Sequence, residues 1–275
     1  MTSMSIERGN STDRRRTLAR TLVDLGRNVA LIGLLWIFYW VVRNSTADGP
    51  SNAFANAQQV MRFQDTLGLP REAALQAWVL PHYLLVKLAN LYYIGVHFPA
   101  TFVFLAWVWI RHRPAFARIR NVLIGLTMSA LVIHLAFPLA PPRMFNRLGF
   151  VDTGLLVGPN PYDLSAGEAA NQFAAMPSLH VGWALLVAFS AITLSRSRWR
   201  WFSVIHPLMT LFVVVITANH YWLDAIIAAA LLVFFWRATR AHQARRLVEL
   251  ERAQSSWLGH QRDRAVDLTQ QTVDV

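Results

Sequence analysis

The chain has 275 residues, of which 55% are hydrophobic and 15% charged, against about 25% charged in a soluble domain. That balance excludes an ordinary soluble protein and reads as an integral membrane protein with short polar tails. The net charge of +11 is carried almost entirely by arginine, with Lys87 the only lysine. These arginines flank apolar runs, so membrane orientation accounts for them and nucleic acid does not. The absence of cysteine excludes disulfides and thiolate metal sites.

In chain order, residues 1–24 form an arginine-rich tail. Arg14, Arg15 and Arg16 precede the apolar run Val29 to Val42. That arrangement is also the pattern of a signal sequence, with Ser45-Thr46-Ala47 as a cleavage site. Arg43 abuts the run and favours an uncleaved first span. Six spans fit the roughly 20 residues that a bilayer core requires: about 25–43, 89–111, 117–138, 178–195, 200–218 and 221–239. The expected fold is all-α, a polytopic bundle of six transmembrane helices with an extra interfacial helical segment. Phe54, Ala57, Val60 and Met61 recur at helical spacing and predict that amphipathic helix. Glu72 to Lys87, interrupted by Pro81, reads as a re-entrant or surface helix, with a seventh span as the competing reading. The membrane catalytic domain is expected over 25–240, with residues 139–177 as an outer lid loop. The tail over 241–275 is expected to hold at most a short helix.

Charge sets the expected orientation. Arginines cluster before span one, between spans two and three, between spans four and five, and after span six. The positive-inside rule places both termini in the cytoplasm of a multi-pass cell-membrane protein. A seventh span would break this alternation. Each leg between His180 and His220 has about 17 to 20 residues, or roughly 25–30 Å of helix. Both histidines therefore return to the outer face, where Phe137-Pro-Leu-Ala-Pro-Pro-Arg143 also ends.

His220 and Asp224 are four apart, so they share one helix face, and the carboxylate reaches the imidazole. A neutral imidazole held in one tautomer is a nucleophile for phosphorus. His180, in Met176-Pro-Ser-Leu-His180, is the candidate general acid and then base. Arg143 offers a bidentate fork to the phosphate. Ser178 and the helix N-terminus behind it offer further donors, with Pro177 expected in the first turn. A metal site of His180, His220 and Asp224 is the competing reading, and no further ligand cluster is evident. No cofactor is implied.

An Arg-bearing segment after the third span, Pro177-Ser178-Leu179-His180 opening the fourth and His220-Tyr-Trp-Leu-Asp224 opening the sixth resemble the type 2 phosphatidic acid phosphatase superfamily. Leu179 stands where those phosphatases usually have Gly. The pattern looks more like the inositol phosphorylceramide synthase branch, and the His220 motif is also similar to that of sphingomyelin synthases. The resemblance covers about residues 85–240. It implies metal-independent chemistry on a lipid phosphate, with His220 as nucleophile, Asp224 as its partner and His180 as acid/base. Two phosphate-binding cations of the phosphatases are missing, because Ala136 and Val214 occupy their positions. Either Arg147, Lys87 or Asn219 substitutes, or the donor carries less charge. A phosphodiester carries one negative charge where a monoester carries nearly two, so the expectation is transfer of a phosphoryl-linked head group, inositolphosphotransferase-like. Hydrolysis of a lipid or polyprenyl phosphate is the alternative.

Intramembrane His97 either contacts a head group or bonds another helix, and His134 is either second to the site or a packed helix histidine. Asp152, Asp163 and Glu168 read as lid acids. A proton-coupled transporter is the reading of another class. It calls for inverted repeats or midplane polar groups in several spans, and the polar groups here gather at the outer end. The expected partners are a lipid phosphate and the membrane, with no nucleic acid, and the sequence leaves the oligomeric state open.

Overall fold

The computed structural model describes residues 3–44, 50–158 and 172–273. Every named element among them is helical. Four stretches are long and apolar enough to cross a membrane: Leu18–Val41, Arg113–Ala136, Arg198–Ile216 and Trp222–Arg245. They belong to helices α1 (Ser3–Asn44), α6 (Arg113–Ala136), α9 (Ile205–Ile216, entered by a 3-10 stretch Arg198–Val204) and α10 (Trp222–Val273). A fifth crossing is made if α4 (Tyr83–Gly95) and α5 (His97–Arg111) act as one span, bent by 47°. Helix α8 (Leu179–Leu194) is apolar but shorter, at 16 residues.

Two boundaries differ from the sequence reading. Helix α4 already begins at Tyr83, so Tyr83 to Lys87 are continuous with the segment expected as the second span, and only α3 (Glu72–Val79) stands apart as a short helix. Pro81 separates the two, since its ring clashes with a helix continuing through it. The C-terminal tail is not limited to a short helix, because α10 continues to Val273. From Ala225 to Leu258 there is no Gly or Pro, and Ala, Leu, Arg, Glu and Gln dominate the later turns. The amphipathic helix expected around residue 57 forms as α2 (Pro50–Thr66). It buries Ala53, Ala57 and Val60 against Leu139, Ala140, Ala175, Met176 and Tyr221. Its apolar face thus covers loops of the protein itself.

The bundle core joins Phe104, Leu105 and Val108 of α5 to Ile119, Val122 and Leu126 of α6, with Trp183 and Leu186 of α8 and Leu232 of α10. Between lipid-bathed helices, close packing and side-chain hydrogen bonds replace the hydrophobic drive. Trp183 Nε1 donates to Thr127 Oγ1 at 3.0 Å, tying α8 to α6. Arg120 of α6 donates to Asn28 of α1. Tyr92 Oη lies 2.8 Å from His206 Nδ1 and 3.1 Å from Thr210 Oγ1, tying α4 to α9. Leu84, Val103, Ile110, Leu208 and Phe234 face outward, as lipid-facing positions do.

Small residues set the closest approaches. A Cβ built on Gly125 of α6 would lie 2.5 Å from the Phe235 ring of α10. Gly125→Val therefore forces these two helices apart. We expect a loss of about 1–3 kcal/mol, read as a lower thermal midpoint in detergent, whereas a wild-type midpoint would contradict this contact.

Candidate active site

Three loops meet at one end of the bundle. Helix α6 stops at Ala136, just before Pro138, and a loop through Leu139 and Ala140 leads into the 3-10 turn Pro142–Met144 that carries Arg143. Leu139 N–H donates to Phe173 O at 2.7 Å, which aligns this loop with the segment entering α8. Ser178 caps α8, its Oγ accepting from Val181 N–H at 3.3 Å. Pro177 therefore lies before the cap and not in the first turn, because the hydroxyl of Ser178 takes the capping place. The third loop follows α9. There Ala218 adopts φ 53°, a left-handed conformation that costs a residue with a Cβ roughly 1–2 kcal/mol. Its carbonyl accepts from Arg143 N–H at 2.8 Å, which joins the first loop to the third.

His220 follows this turn and is buried. Its Nδ1 lies 2.8 Å from Ala175 O and 3.2 Å from Asp224 Oδ2. Both partners are acceptors, so in the neutral ring the proton resides on Nδ1 and the lone pair on Nε2. Asp224 is fully buried, and its Oδ2 also accepts from Tyr221 N–H at 2.8 Å. Tyr221 is buried as well and donates from Oη to Ala140 O at 2.9 Å. Burial first, then the nearby Asp224 and Glu72 carboxylates, push its phenol up, so it stays a donor.

The His180 ring lies 5.8 Å from the His220 ring, centroid to centroid. It stacks on Tyr93 at 4.3 Å and meets His97 at 4.5 Å. His97 is buried and stacks in turn on Trp183. His134 Nε2 lies 3.3 Å from Pro177 O and so fastens the segment before α8.

A cavity of about 80 Å³, on the scale of a phosphate group, is lined by Tyr39, Tyr93, His134, Arg143, His180, Asn219 and His220 among others. Among the described residues Arg143 is the only Lys or Arg on that lining. Its Nη1 donates to Asn219 Oδ1 at 2.7 Å, and its Nε lies 3.3 Å from Asp152 Oδ2. Asn219 is braced by Thr217 Oγ1 at 2.9 Å. Ser178 does not line the cavity. Arg147 is exposed on the 3-10 turn Asn146–Leu148, and Lys87 is exposed on α4, so neither lines it. Val214 is packed among Val181, Val215 and Ala225. A larger cavity of about 400 Å³, bordered by α2 and α3, contains no histidine. Among the described residues no group of three or more His, Asp or Glu is placed to hold a metal ion.

The sequence marks Asp152 as a lid acid and assigns no role to Gln76, Asn90 or Tyr93. Asp152 pairs with Arg143 and also caps the short helix α7 (Thr153–Val157). Gln76 brackets Val151 and accepts and donates there at 2.9 Å, while Asn90 holds Thr153. Tyr93 faces His180. The only signal for Gln76 and Asn90 was a polar residue in an otherwise apolar helix. Asp163 and Glu168 lie outside the described residues.

A family model described as the PAP2 superfamily matches residues 58–238. The chain belongs to the PAP2 superfamily. That span holds Arg143, His180, His220 and Asp224, and the membership supports a phosphatase- or phosphotransferase-type enzyme. No curated protein and no solved structure matches this PAP2 chain.

Proposed function

We propose that this PAP2 protein is an integral membrane enzyme that acts on lipid phosphates through a phosphohistidine. The observation that carries the reading is His220, its Nδ1 held by two acceptors and its ring facing His180 across a cavity that Arg143 lines. In the first step the Nε2 lone pair attacks phosphorus. The bond from phosphorus to the leaving oxygen breaks, and that oxygen takes a proton from His180. In the second step His180 accepts a proton from a hydroxyl, whose oxygen attacks phosphorus and releases His220. Arg143, braced by Asn219, holds the equatorial oxygens. Ser178 shapes the first turn of α8, whose positive end favours the anion. His97 backs the His180 ring, and His134 fixes the loop at Pro177. No metal is required by these steps.

The acceptor is proposed to be a hydroxyl-bearing molecule and the donor a phosphodiester, as in the inositol phosphorylceramide synthase-like branch. Asp152 already offsets part of the charge of Arg143, and Ala136 and Val214 add none. A singly charged diester suits that balance better than a monoester. Hydrolysis of a lipid or polyprenyl phosphate is the second reading, favoured by the membership in a family of phosphatases.

We further propose that α8 is a sixth span and that both termini are cytoplasmic. This rests on the arginines at the ends of α5 and α6, in the 3-10 entry to α9 and beyond Trp236 on α10. The catalytic unit would then span 25–240, between cytoplasmic segments 1–24 and 241–275, with its site on the outer face.

The test is turnover by detergent-purified protein in EDTA. The donors are phosphatidic acid, an isoprenoid pyrophosphate and phosphatidylinositol, the last with and without a ceramide acceptor. Head-group transfer from phosphatidylinositol that is lost in His220→Ala is the expected result. Phosphate release without transfer would favour the second reading, and turnover unchanged in His220→Ala would contradict both. His180→Ala should lose roughly 10²–10⁴-fold in kcat, and Arg143→Ala roughly 10²–10³-fold.

The pH–rate profile should be bell-shaped. The first step needs one histidine neutral, to attack, and the other protonated, to release the leaving oxygen, and the two requirements give the two limbs. A flat profile from pH 5 to 9, with chemistry rate-limiting, would remove the assignment.

A further inference from the structure

Helix α10 begins where the chemistry sits, with Asp224 as its third residue. The first-turn N–H groups of a helix have no partner within it, and away from water each needs one. Tyr221 N–H is met by Asp224 itself. The next two are met from outside the helix. Trp222 N–H donates to Glu72 Oε1 at 3.1 Å, and Leu223 N–H donates to Gln64 Oε1 at 2.8 Å. Gln64 Nε2 donates to the same Glu72 Oε1 at 2.8 Å, so the two capping side chains hold each other. The Trp222 indole adds a bond to Pro70 O at 2.7 Å. Gln64 lies near the end of α2 and Glu72 opens α3, and both are buried.

This cap stands 150 and 159 residues away in sequence from the groups it serves. A carboxylate is also favoured at the positive end of a helix. Bonds to two successive N–H groups restrain both rotation and slide of the first turn of α10. Asp224 Oδ2 bonds both Tyr221 N–H and His220 Nδ1, so the aim of the imidazole depends on where that turn lies.

We propose that Gln64 and Glu72 are positioning residues for the phosphohistidine chemistry. They form an external cap that sets the His220–Asp224 pair against His180 and Arg143. Neither residue lines the cavity that holds the histidines, so both act through the α10 backbone. The inference rests on the catalytic reading above.

The experiment uses the full-length protein in detergent, with Gln64→Ala, Glu72→Ala and Glu72→Gln. It reads amide hydrogen exchange over residues 219–226, and kcat and KM on whichever donor the wild type turns over. Both alanine variants should lose protection at Trp222 and Leu223 while α6 keeps its own. Their kcat should fall by about 10- to 100-fold with little change in KM, as expected when reacting groups shift by a fraction of an ångström. Glu72→Gln keeps the acceptor oxygen and should restore most of kcat. If Glu72→Ala does not fold, Gln64→Ala carries the same comparison. Alanine variants with wild-type exchange or wild-type kcat would overturn the inference and leave the His220 chemistry standing. A Glu72→Gln variant as slow as Glu72→Ala would overturn it too, since charge and not bonding would then matter. A wild type without His220-dependent turnover would overturn both readings.

Discussion

Everything at this site depends on the hydrogen bonding of one imidazole nitrogen. His220 Nδ1 has a backbone carbonyl at 2.8 Å and a carboxylate at 3.2 Å. With two acceptors on that side, the neutral ring has one tautomer, and its lone pair lies on the opposite nitrogen. The carbonyl belongs to Ala175, just before α8, and the carboxylate to the first turn of α10. The bond is therefore made only when those two helices start in the right place, which is the task the rest of the structure performs. Leu139 aligns the Ala175 segment, His134 ties down Pro177, and Ser178 N–H donates to Asp224 O at 3.2 Å.

The second constraint is the scarcity of water. Polar backbone groups at helix ends inside a membrane-scale bundle must find protein partners. Here the partners come from α2, which buries its small and apolar residues on the same loops, and from α3, whose Val79 packs against α4 and α9. A segment that composition marks as interfacial thus backs the loops of the site and caps α10. Asp152 belongs to the same logic, facing Arg143 with one oxygen and meeting the N–H groups of α7 with the other.

Local periodicity and spacing carried much of this outline. Apolar runs of span length are one-dimensional signals, and α6, α9 and the apolar part of α10 emerge within a few residues of where hydropathy puts them. His220 and Asp224 meet at the spacing read from the sequence, but they do not share a helix face, since His220 lies in the loop two residues before α10 and Asp224 reaches back to it and to Tyr221 N–H. The bend at Val96 was not legible, since Gly95 and Pro99 within an apolar run are compatible with a straight or a kinked helix. The length of α10 was missed because its polar second half was weighed by composition and not by its helix formers. Contacts between distant segments were invisible for a different reason. Glu72 and Trp222, or Asp152 and Arg143, are joined only by the three-dimensional path, and nothing in either local sequence names its partner. The same holds for Ala175, which contributes a carbonyl, a group every residue has.

In the proposed chemistry His220 Nε2 forms a bond to phosphorus, and single-turnover trapping tests that most directly. Wild-type protein is mixed with excess donor lipid, quenched at alkaline pH and digested, and the peptide spanning Thr217 to Asp224 is examined by mass spectrometry and phosphorus NMR. An acid-labile phosphorus adduct on Nε2 of His220, still esterified to the head group when the donor is a diester, is expected in the wild type and absent from His220→Ala. An adduct on Nδ1, on His180, or nowhere in the chain during active turnover would contradict that chemistry.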